Sequence, residues 1–211
     1  MKGGLSLTRL LYLEASPRKA WSHSIDVATA FVEAFTNANS NNAIEKLDLW
    51  SIDLRPFDGA AVTAKYKVMH GEPMTPEEEK AWARITEIFG QFAAHDHYLI
   101  SLPMWNFGIP YRLKHYIDVI TQPGMAFKVT EGGGYEGIVT GRPAVVVYAS
   151  GGQYEKGSGA EAYDFLNPYL ELWLGFIGFS DVRRIAVGGT MGDREELTAT
   201  KEKALIPLTP V

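Results

Sequence analysis

Hydroxyl and basic side chains crowd one ten-residue stretch near the N-terminus, ASPRKAWSHS (15–24). Three serines, Ser16, Ser22 and Ser24, surround the start of a helical pattern, and Arg18 and Lys19 add positive charge. A helix N-terminus offers free N–H groups and a positive dipole end, both of which hold phosphate well. The stretch contains neither GxGxxG nor GxxxxGK[ST], so it is neither a dinucleotide fingerprint nor a Walker loop. It suits a cup for a mononucleotide phosphate, although Ser22 or Ser24 could equally be an ordinary N-cap.

A second group of side chains follows the apolar run HYLISLP (97–103). It opens the segment PMWNFGIPYRLKHYID (103–118), and its members are Met104, Trp105, Asn106 and Phe107. A planar heterocycle needs an apolar wall and a few placed polar groups at its edge, which aromatic rings and an asparagine amide supply. We expect Gly108 to let the backbone turn close to a ligand. The alternative is that the two aromatic rings belong to the core or to an interface.

A third group follows the β-branched run PAVVVYAS (143–150), in the loop ASGGQYEKGSG (149–159). Gly151 and Gly152 permit the backbone to approach a flat ring edge closely, although an ordinary flexible loop would have a similar composition. In a doubly wound parallel sheet, ligands bind outside the carboxyl ends of the strands, at the switch point between strands 1 and 3. The three loops follow predicted strands 1, 3 and 4, so we expect them to form one site.

Short apolar runs that alternate with helical patterns predict the elements that hold these loops. Strands are expected at 7–15, 43–49, 97–103, 143–150 and, more weakly, 182–189. Helices are expected over 25–35, from about 75, after Pro110, over 160–176 and from about 193. The alternation predicts an α/β, flavodoxin-like three-layer sandwich with a five-stranded parallel sheet in the order 2-1-3-4-5. The stretch 50–75 is the longest irregular one, either a lid, an interface element or a surface excursion.

Composition limits the classes of protein that the chain can belong to. Its 211 residues are 46% hydrophobic and 21% charged, which predicts a single domain over 1–211 with a substantial core. A net charge of −5 gives no basic footprint for nucleic acid or membrane. The absence of cysteine excludes disulfides and thiol catalysis. With no signal-peptide pattern and no membrane-length apolar window, a soluble cytoplasmic protein is expected.

Two other enzyme classes find little support. His95 and His97 in AHDHY precede a strand, at the end of the sheet away from the expected site, so we expect an exposed turn and no metal site. No GxSxG elbow is present, which disfavours a hydrolase on a similar sheet.

Several segments together resemble the FMN-dependent NADH azoreductase family, within the flavodoxin-like quinone reductases. The resemblance rests on SPRKAWSHS, PMWNFGIPYRLKHYID and the glycine pair after strand 4. Further matching stretches are GMAFKVTEGG (124–133), GIVTGRPAVVV (137–147) and PYLELWLGFIGFSDV (168–182). The resemblance extends from about residue 7 to about residue 200.

The resemblance implies a set of site residues. The implied cofactor-binding residues are Ser16, Ser22, His23, Ser24, Met104, Trp105, Asn106, Phe107, Ala149, Ser150, Gly151 and Gly152. Phe127 and Phe176 are the implied substrate-binding aromatics. The chain departs from the family where Ala149 and Ser150 replace a frequent Ser-Arg pair, and where Val129 replaces a tyrosine of some relatives.

The resemblance also implies an activity. FMN is bound without a covalent bond, NADH or NADPH donates the electrons, and a quinone or azo compound takes two electrons in a ping-pong cycle. No protein side chain is expected to be catalytic. A homodimer with sites at its interface is implied, in which Trp50 and Trp82 would be interface or core residues. A flavodoxin-type electron carrier, or a flavin-binding protein without turnover, remains the alternative.

Overall fold

The computed structural model of the protein describes residues 8–38, 41–192 and 198. Within them the strands are β1 (Arg9–Glu14), β2 (Ala43–Asp48), β3 (His97–Pro103), β4 (Phe127–Val129), β5 (Tyr135–Gly137), β6 (Pro143–Ala149) and β7 (Asp181–Val187). The helices are α1 (His23–Ala38), α2 (Gly59–His70), α3 (Pro76–Ala93), α4 (Tyr111–Ile120) and α5 (Leu166–Ile177). Short 3-10 turns cover 19–21 and 161–163.

Five of the strands form one parallel sheet in the order β2-β1-β3-β6-β7. This is the predicted order 2-1-3-4-5, because β4 and β5 form a separate antiparallel hairpin. The central strands β1, β3 and β6 are buried along almost their whole length. A parallel sheet covered by helices on both faces requires such continuous apolar strands, which is why their sequences predicted them well.

The core lies in two layers, one on each face of the sheet. On one face α1 packs Val27 and Ala28 against Leu10 and Leu99. On the other face α3, α4 and α5 pack against the sheet; their largest buried side chains there are Phe92, Tyr116 and Trp173. The predicted three-layer α/β sandwich is therefore confirmed. None of the described helices is both long and apolar enough to cross a membrane.

The stretch 50–75 is less irregular than expected, because it contains α2. Asp58 caps this helix by accepting hydrogen bonds from the N–H groups of Ala60 and Ala61, and Gly71 ends it with a left-handed φ of 69°. Only Ala61 and Ala64 are buried, so the helix lacks the apolar stripe that marks most surface helices. The sequence thus contained the two capping residues, Asp58 and Gly71, but not the apolar spacing that would have predicted a helix between them.

One other helix boundary differs from the sequence-based expectation. The helix expected over 160–176 begins at Leu166, because the Asp164 carboxylate accepts hydrogen bonds from the N–H groups of Leu166 and Asn167 and caps it there. The helix expected from about residue 75 begins as predicted, with a capping box between Thr75 and Glu78. The helix expected from about residue 193 lies almost entirely outside the described residues.

Candidate functional site

The loops after β1, β3 and β6 begin side by side at the carboxyl edge of the sheet. The N–H of Ala15 donates to the carbonyl of Ser101, at 2.8 Å. The N–H of Met104 donates to the carbonyl of Ala149, at 2.7 Å. The three stretches selected from the sequence therefore share one edge, although they are distant along the chain.

The serine hydroxyls of the first loop are buried at the beginning of α1. Ser16 and Ser24 are fully buried and Ser22 nearly so. The Oγ atoms of Ser22 and Ser24 lie 3.1 Å apart, while the backbone N–H of Ile25 reaches Ser22 Oγ only at 3.5 Å. Ser22 thus stands at the N-cap position with a long bond, and the helix end keeps donors for an anion. His23 is the first residue of α1 and is half-buried.

Lys19 does not add free charge to this loop, contrary to the expectation. Its Nζ lies 2.8 Å from Glu14 Oε1 and 2.5 Å from Asp48 Oδ1. The second oxygen of the buried Glu14 carboxylate pairs with Lys46. We call these four residues the lysine clamp. Arg18 is exposed and has no carboxylate partner within the described residues, so it is the cation that remains available beside the serines.

The lysine clamp shifts the titration of two of its members. Burial opposes the charged form of Asp48, but hydrogen bonds from Lys19, Ser51 and the Trp50 backbone outweigh it and lower the pKa of Asp48. Burial likewise disfavours charge on Lys19, but hydrogen bonds to Asp48 and Glu14 raise its pKa. Both groups are therefore held in their charged forms.

Residues 105–108 form a tight turn with an unusual backbone. Trp105 and Gly108 exchange two N–H···O=C hydrogen bonds of 2.9 and 3.0 Å. The central residues Asn106 and Phe107 both have positive φ, 48° and 70°, as in a type I′ turn. Gly108 was expected to let the backbone turn close to a ligand, but the left-handed conformation falls on Asn106 and Phe107. Such strain on a phenylalanine persists only when the surroundings impose it, and it is typical of functional sites.

The loop after β6 holds Phe107 in this conformation. The carbonyl of Phe107 accepts a hydrogen bond from the N–H of Phe165, at 3.0 Å. Its ring centroid lies 6.2 Å from that of Tyr154 and 5.4 Å from that of Tyr163. The ring is 44% exposed and Asn106 is also exposed. The turn therefore presents an aromatic ring and an amide at the surface while its backbone is fixed.

A cavity of about 550 Å³ lies beside this turn. Its lining includes Trp105, Asn106, Tyr111, Phe165 and Tyr169. The volume lies within the range of small-molecule sites, and the lining combines aromatic walls with an amide. Burial, with a smaller contribution from Asp118, raises the pKa of Tyr169 to about 12, so its hydroxyl is a hydrogen-bond donor throughout the physiological range.

The loop at Ala149 to Gly152 is closed by contacts within the chain. The Ser150 hydroxyl donates to the carbonyl of Gly152, at 2.9 Å. A Cβ atom at Gly151 would lie 2.8 Å from the sulfur of Met191, and one at Gly152 would lie 3.2 Å from the ring of Tyr154. Glycine is therefore favoured at both positions by neighbouring side chains.

Phe127 and Phe176 form a separate aromatic group at the β4–β5 hairpin and α5. Their ring centroids are 4.7 Å apart, and Tyr135 lies 5.6 and 5.5 Å from them. Phe176 lines a cavity of about 400 Å³ that shares Tyr169 with the cavity beside the turn. The structure thus brings the two phenylalanines together, next to the first cavity along α5. Val129 is more than half exposed nearby.

The chain is similar in sequence to a known protein family and to named members of it. The family model of the flavodoxin-like fold matches residues 8–206. An FMN-dependent NADH:quinone oxidoreductase of Desulfotalea psychrophila is 46% identical, over 96% of each chain. A protein of the same name from Nitratidesulfovibrio vulgaris strain DP4 is 45% identical, over 92% of this chain and 93% of that one. The chain belongs to this family of flavodoxin-like proteins.

Solved structures agree with the family membership. The crystal structure of an FMN-dependent NADH-azoreductase from Bacillus anthracis in complex with FMN has a TM-score of 0.84 and 30% identity, and the match covers 96% of this chain and all of that one. An azoreductase from Bacillus anthracis strain Sterne has a TM-score of 0.86 and 26% identity, with 96% and 99% of the two chains covered. The resemblance to the azoreductase family and the flavodoxin-like fold are therefore confirmed.

Some residues of this family member were not anticipated from its sequence. The lysine clamp was missed, although a charged Glu14 at the end of the apolar run LTRLLYLEA was a signal, since buried carboxylates are almost always paired. The cavity residues Tyr111, Phe165 and Tyr169 were also missed. Nothing in their local sequence separates them from ordinary helix-surface aromatics.

One of the two histidines at the other end of the sheet differs from the expectation. His95 was expected in an exposed turn, but it is buried, with Nδ1 3.0 Å from the carbonyl of Gln91 and Nε2 3.1 Å from Glu45. The described residues contain no group of three side chains that could hold a metal ion. Trp82 is half-buried against the core, and Trp50 is half-buried with its ring 5.8 Å from that of Trp105.

Proposed function

We propose that the protein is an FMN-dependent NADH:quinone oxidoreductase that also reduces azo compounds. The chain would fold as one domain over 1–211 and act in the cytoplasm. The observation that carries the proposal is the convergence of buried serine hydroxyls and a strained aromatic turn at one edge of the sheet. Relatives with this name, 45–46% identical over almost the full length, support it.

The proposal assigns FMN contacts to three loops. The phosphate would bind at the beginning of α1, and the isoalloxazine ring between the loops after β3 and β6. The residues assigned to FMN are Ser16, Ser22, His23, Ser24, Met104, Trp105, Asn106, Phe107, Ala149, Ser150, Gly151 and Gly152. Phe127 and Phe176 are assigned to the substrate. No residue is assigned to a metal ion.

The donor set fits a flavin mononucleotide. Hydroxyls at the beginning of a 16-residue helix, with Arg18 beside them, suit a phosphate dianion. The aromatic side chains of the 105–108 turn suit an apolar ring, and the Asn106 amide suits its polar edge. Ser150 donates to the carbonyl of Gly152, so in the proposal it shapes its loop, and the backbone of Gly151 and Gly152 contacts the ring.

The chemistry that FMN supplies when bound is two-electron transfer, from NADH or NADPH to a quinone or azo compound in a ping-pong cycle. The protein contributes binding, orientation and the exclusion of water. In the proposal the serines fix the phosphate end, and the 105–108 turn fixes the ring. The aromatic cavity accepts a flat substrate, and no side chain acts as a general acid or base.

The assembly proposed is a homodimer with substrate sites at its interface. Three large apolar side chains border the two cavities and are mostly exposed: Leu172 (73%), Tyr111 (66%) and Phe165 (64%). Exposed apolar groups that rim a cavity are typical of an interaction surface. A second copy of the chain would cover them and close the cavities against water.

An electron carrier or flavin-binding protein without turnover is the second candidate. The observation that favours it is the Ala149–Ser150 pair, which lacks the arginine of the family loop and whose serine hydroxyl is engaged within the loop. Such a protein would retain FMN without oxidising NADH at a useful rate.

Steady-state kinetics of the FMN-loaded protein separate these candidates. NADH and a quinone are varied together, and the reductase proposal expects parallel double-reciprocal lines, since the two substrates bind in alternate half-reactions. Intersecting lines would overturn the ping-pong cycle. Turnover no faster than that of free FMN would favour the carrier.

A further inference from the structure

The turn that follows β2 contacts two of the three loops assigned to FMN, those after β1 and β3. We define it as residues 48–52 and call it the β2 turn. Its central side chain, Trp50, donates from Nε1 to the carbonyl of Ala15, at 3.0 Å. Ala15 directly precedes Ser16 in the serine loop. The Trp50 ring centroid also lies 5.8 Å from that of Trp105, in the turn after β3, and 5.4 Å from that of Tyr111.

The carbonyl of Ala15 depends on this hydrogen bond. Ala15 is fully buried, and its own N–H is already bound to Ser101. The ladder between β1 and β2 ends at the pair Glu14–Asp48, so the chain leaves the sheet at this point. A buried carbonyl without a donor is costly. The indole N–H satisfies it where the strand pairing can no longer do so.

The backbone around Trp50 is fixed by hydrogen bonds to other elements. The backbone N–H of Trp50 donates to Asp48, at 3.1 Å, and Asp48 belongs to the lysine clamp. From α4, Arg112 donates to the carbonyls of Leu49 and Ile52, at 2.5 and 2.8 Å. The β2 turn is therefore hydrogen-bonded to the sheet edge and to α4. A turn fixed in this way can hold the serine loop and the 105–108 turn at a constant distance from each other.

We propose that Trp50 is a positioning residue that sets the spacing between the serine loop and the 105–108 turn, and thereby tunes the affinity and the reduction potential of bound FMN. The hydrogen bond to Ala15 locates the phosphate end of the site, and the ring contact with Trp105 locates the isoalloxazine end. Trp50 needs no contact with the flavin for this role. The inference rests on the assignment of these loops to FMN in the proposed function.

The test compares Trp50→Phe with Trp82→Phe in the FMN-loaded protein. The first variant keeps an aromatic ring but removes the N–H, and the second makes the same change in α3, outside the proposed site. Trp50→Phe is expected to raise the Kd of FMN roughly 5- to 30-fold, because without the indole donor the serine loop is no longer held at the spacing that binds FMN. It is also expected to shift the midpoint potential of bound FMN, whereas Trp82→Phe leaves both quantities unchanged.

The potential is the decisive readout, because a loss of general stability would lower affinity without changing the relative binding of oxidised and reduced FMN. If Trp50→Phe leaves the Kd and the potential at the values of Trp82→Phe, the inference is overturned. If Trp50→Phe does not fold, Tyr111→Leu replaces it, since Tyr111 packs on the indole from the exposed side and its loss should also shift the potential. An unchanged potential in that variant would equally overturn the inference.

A parallel titration of the Ser22→Ala/Ser24→Ala double variant separates two kinds of failure. If the double variant loses FMN affinity while Trp50→Phe does not, the site assignment stands and only the role of Trp50 is wrong. If neither responds, the assignment of the serine loop fails first.

Discussion

Asn106 and Phe107 concentrate the strain of the site in two adjacent residues. A left-handed conformation costs an L-residue roughly 1–2 kcal/mol, and asparagine tolerates it better than phenylalanine because its short side chain can hydrogen-bond locally. The hydrogen bond from the Phe165 N–H to the Phe107 carbonyl, and the ring contacts of Phe107 with Tyr154 and Tyr163, tie the turn to the loop after β6. Strain held in this way keeps a surface in place before a ligand arrives.

The amide of Asn106 can be separated from the shape of the turn. Asn106→Gly keeps the left-handed backbone and removes the amide, whereas Asn106→Leu removes the amide and adds about 1 kcal/mol of strain. If the amide contacts the flavin, both variants shift the midpoint potential of bound FMN, and only the leucine variant lowers the unfolding temperature. If neither the midpoint potential nor the Kd of FMN changes in Asn106→Gly, the amide has no part in binding.

The hydroxyls of Ser22 and Ser24 can be tested by their effect on FMN affinity. Ser22→Ala/Ser24→Ala should weaken FMN binding by about 1.5–3 kcal/mol for each lost hydrogen bond to a charged group, measured by flavin fluorescence titration. Thr29→Ala is the matched control, since its hydroxyl also lies on α1 but bonds to the carbonyl of Ile25 and is exposed. Equal affinities in the two proteins would remove the serine loop from the site.

At the scale of elements, the lysine clamp connects the ends of β1 and β2 to the serine loop. Glu14 closes β1, Asp48 closes β2, and Lys19 spans both from a residue with a positive φ of 50°. A buried carboxylate is costly unless paired, so the pairing with Lys19 and Lys46 fixes the path of the chain into α1. The clamp therefore positions the serines without contacting the phosphate.

Removing the clamp should lower stability in a pH-dependent manner. Lys19→Met leaves Glu14 with one partner, and we expect a loss of about 1–3 kcal/mol in the free energy of unfolding near neutral pH. The folded-state pKa of Asp48 is depressed, so its contribution is complete above its ordinary value of 3.8 and is lost as pH falls through the lower folded value. The pKa of Lys19 is raised, so its contribution is complete below 10.5 and is lost as pH rises beyond it.

Denaturant unfolding from pH 3 to pH 9 checks this prediction. The difference between the parent and Lys19→Met should be constant from about pH 5 upwards and should shrink below 3.8. Lys114→Met is the control, because its exposed pair with Asp118 is worth less than about 0.5 kcal/mol. A difference that does not depend on pH at the acid end would contradict the clamp.

Some elements of the fold could be predicted from the sequence and others could not. The buried strands and the capped helix α3 were predictable because apolar runs and a capping box are local signals. Helix α2 and the β4–β5 hairpin were not, since α2 buries only two alanines and each hairpin strand has three residues. Topology predicted that the three loops share one edge of the sheet, which they do, whereas the left-handed residues in the turn and the pairing of Lys19 depend on contacts between distant segments.

At the scale of the whole molecule, the rim of the two cavities predicts association. Leu172→Glu places a charge on the most exposed apolar side chain of that rim, and it should convert a dimer to a monomer in sedimentation velocity. Asn37→Glu adds the same charge at the exposed end of α1, on the opposite face of the sheet, and should leave the dimer intact. Equal sedimentation of the two variants would place the interface elsewhere.

The whole molecule is proposed to bind FMN and to pass electrons through it from a nicotinamide to a quinone. The most direct test is the visible absorption spectrum of the purified protein after FMN is added and the sample is desalted. We expect a retained flavin spectrum that bleaches with NADH or NADPH under anaerobic conditions and recovers when a quinone is added. A desalted protein without flavin absorption, or a retained flavin that neither nicotinamide bleaches, would contradict this electron-transfer function.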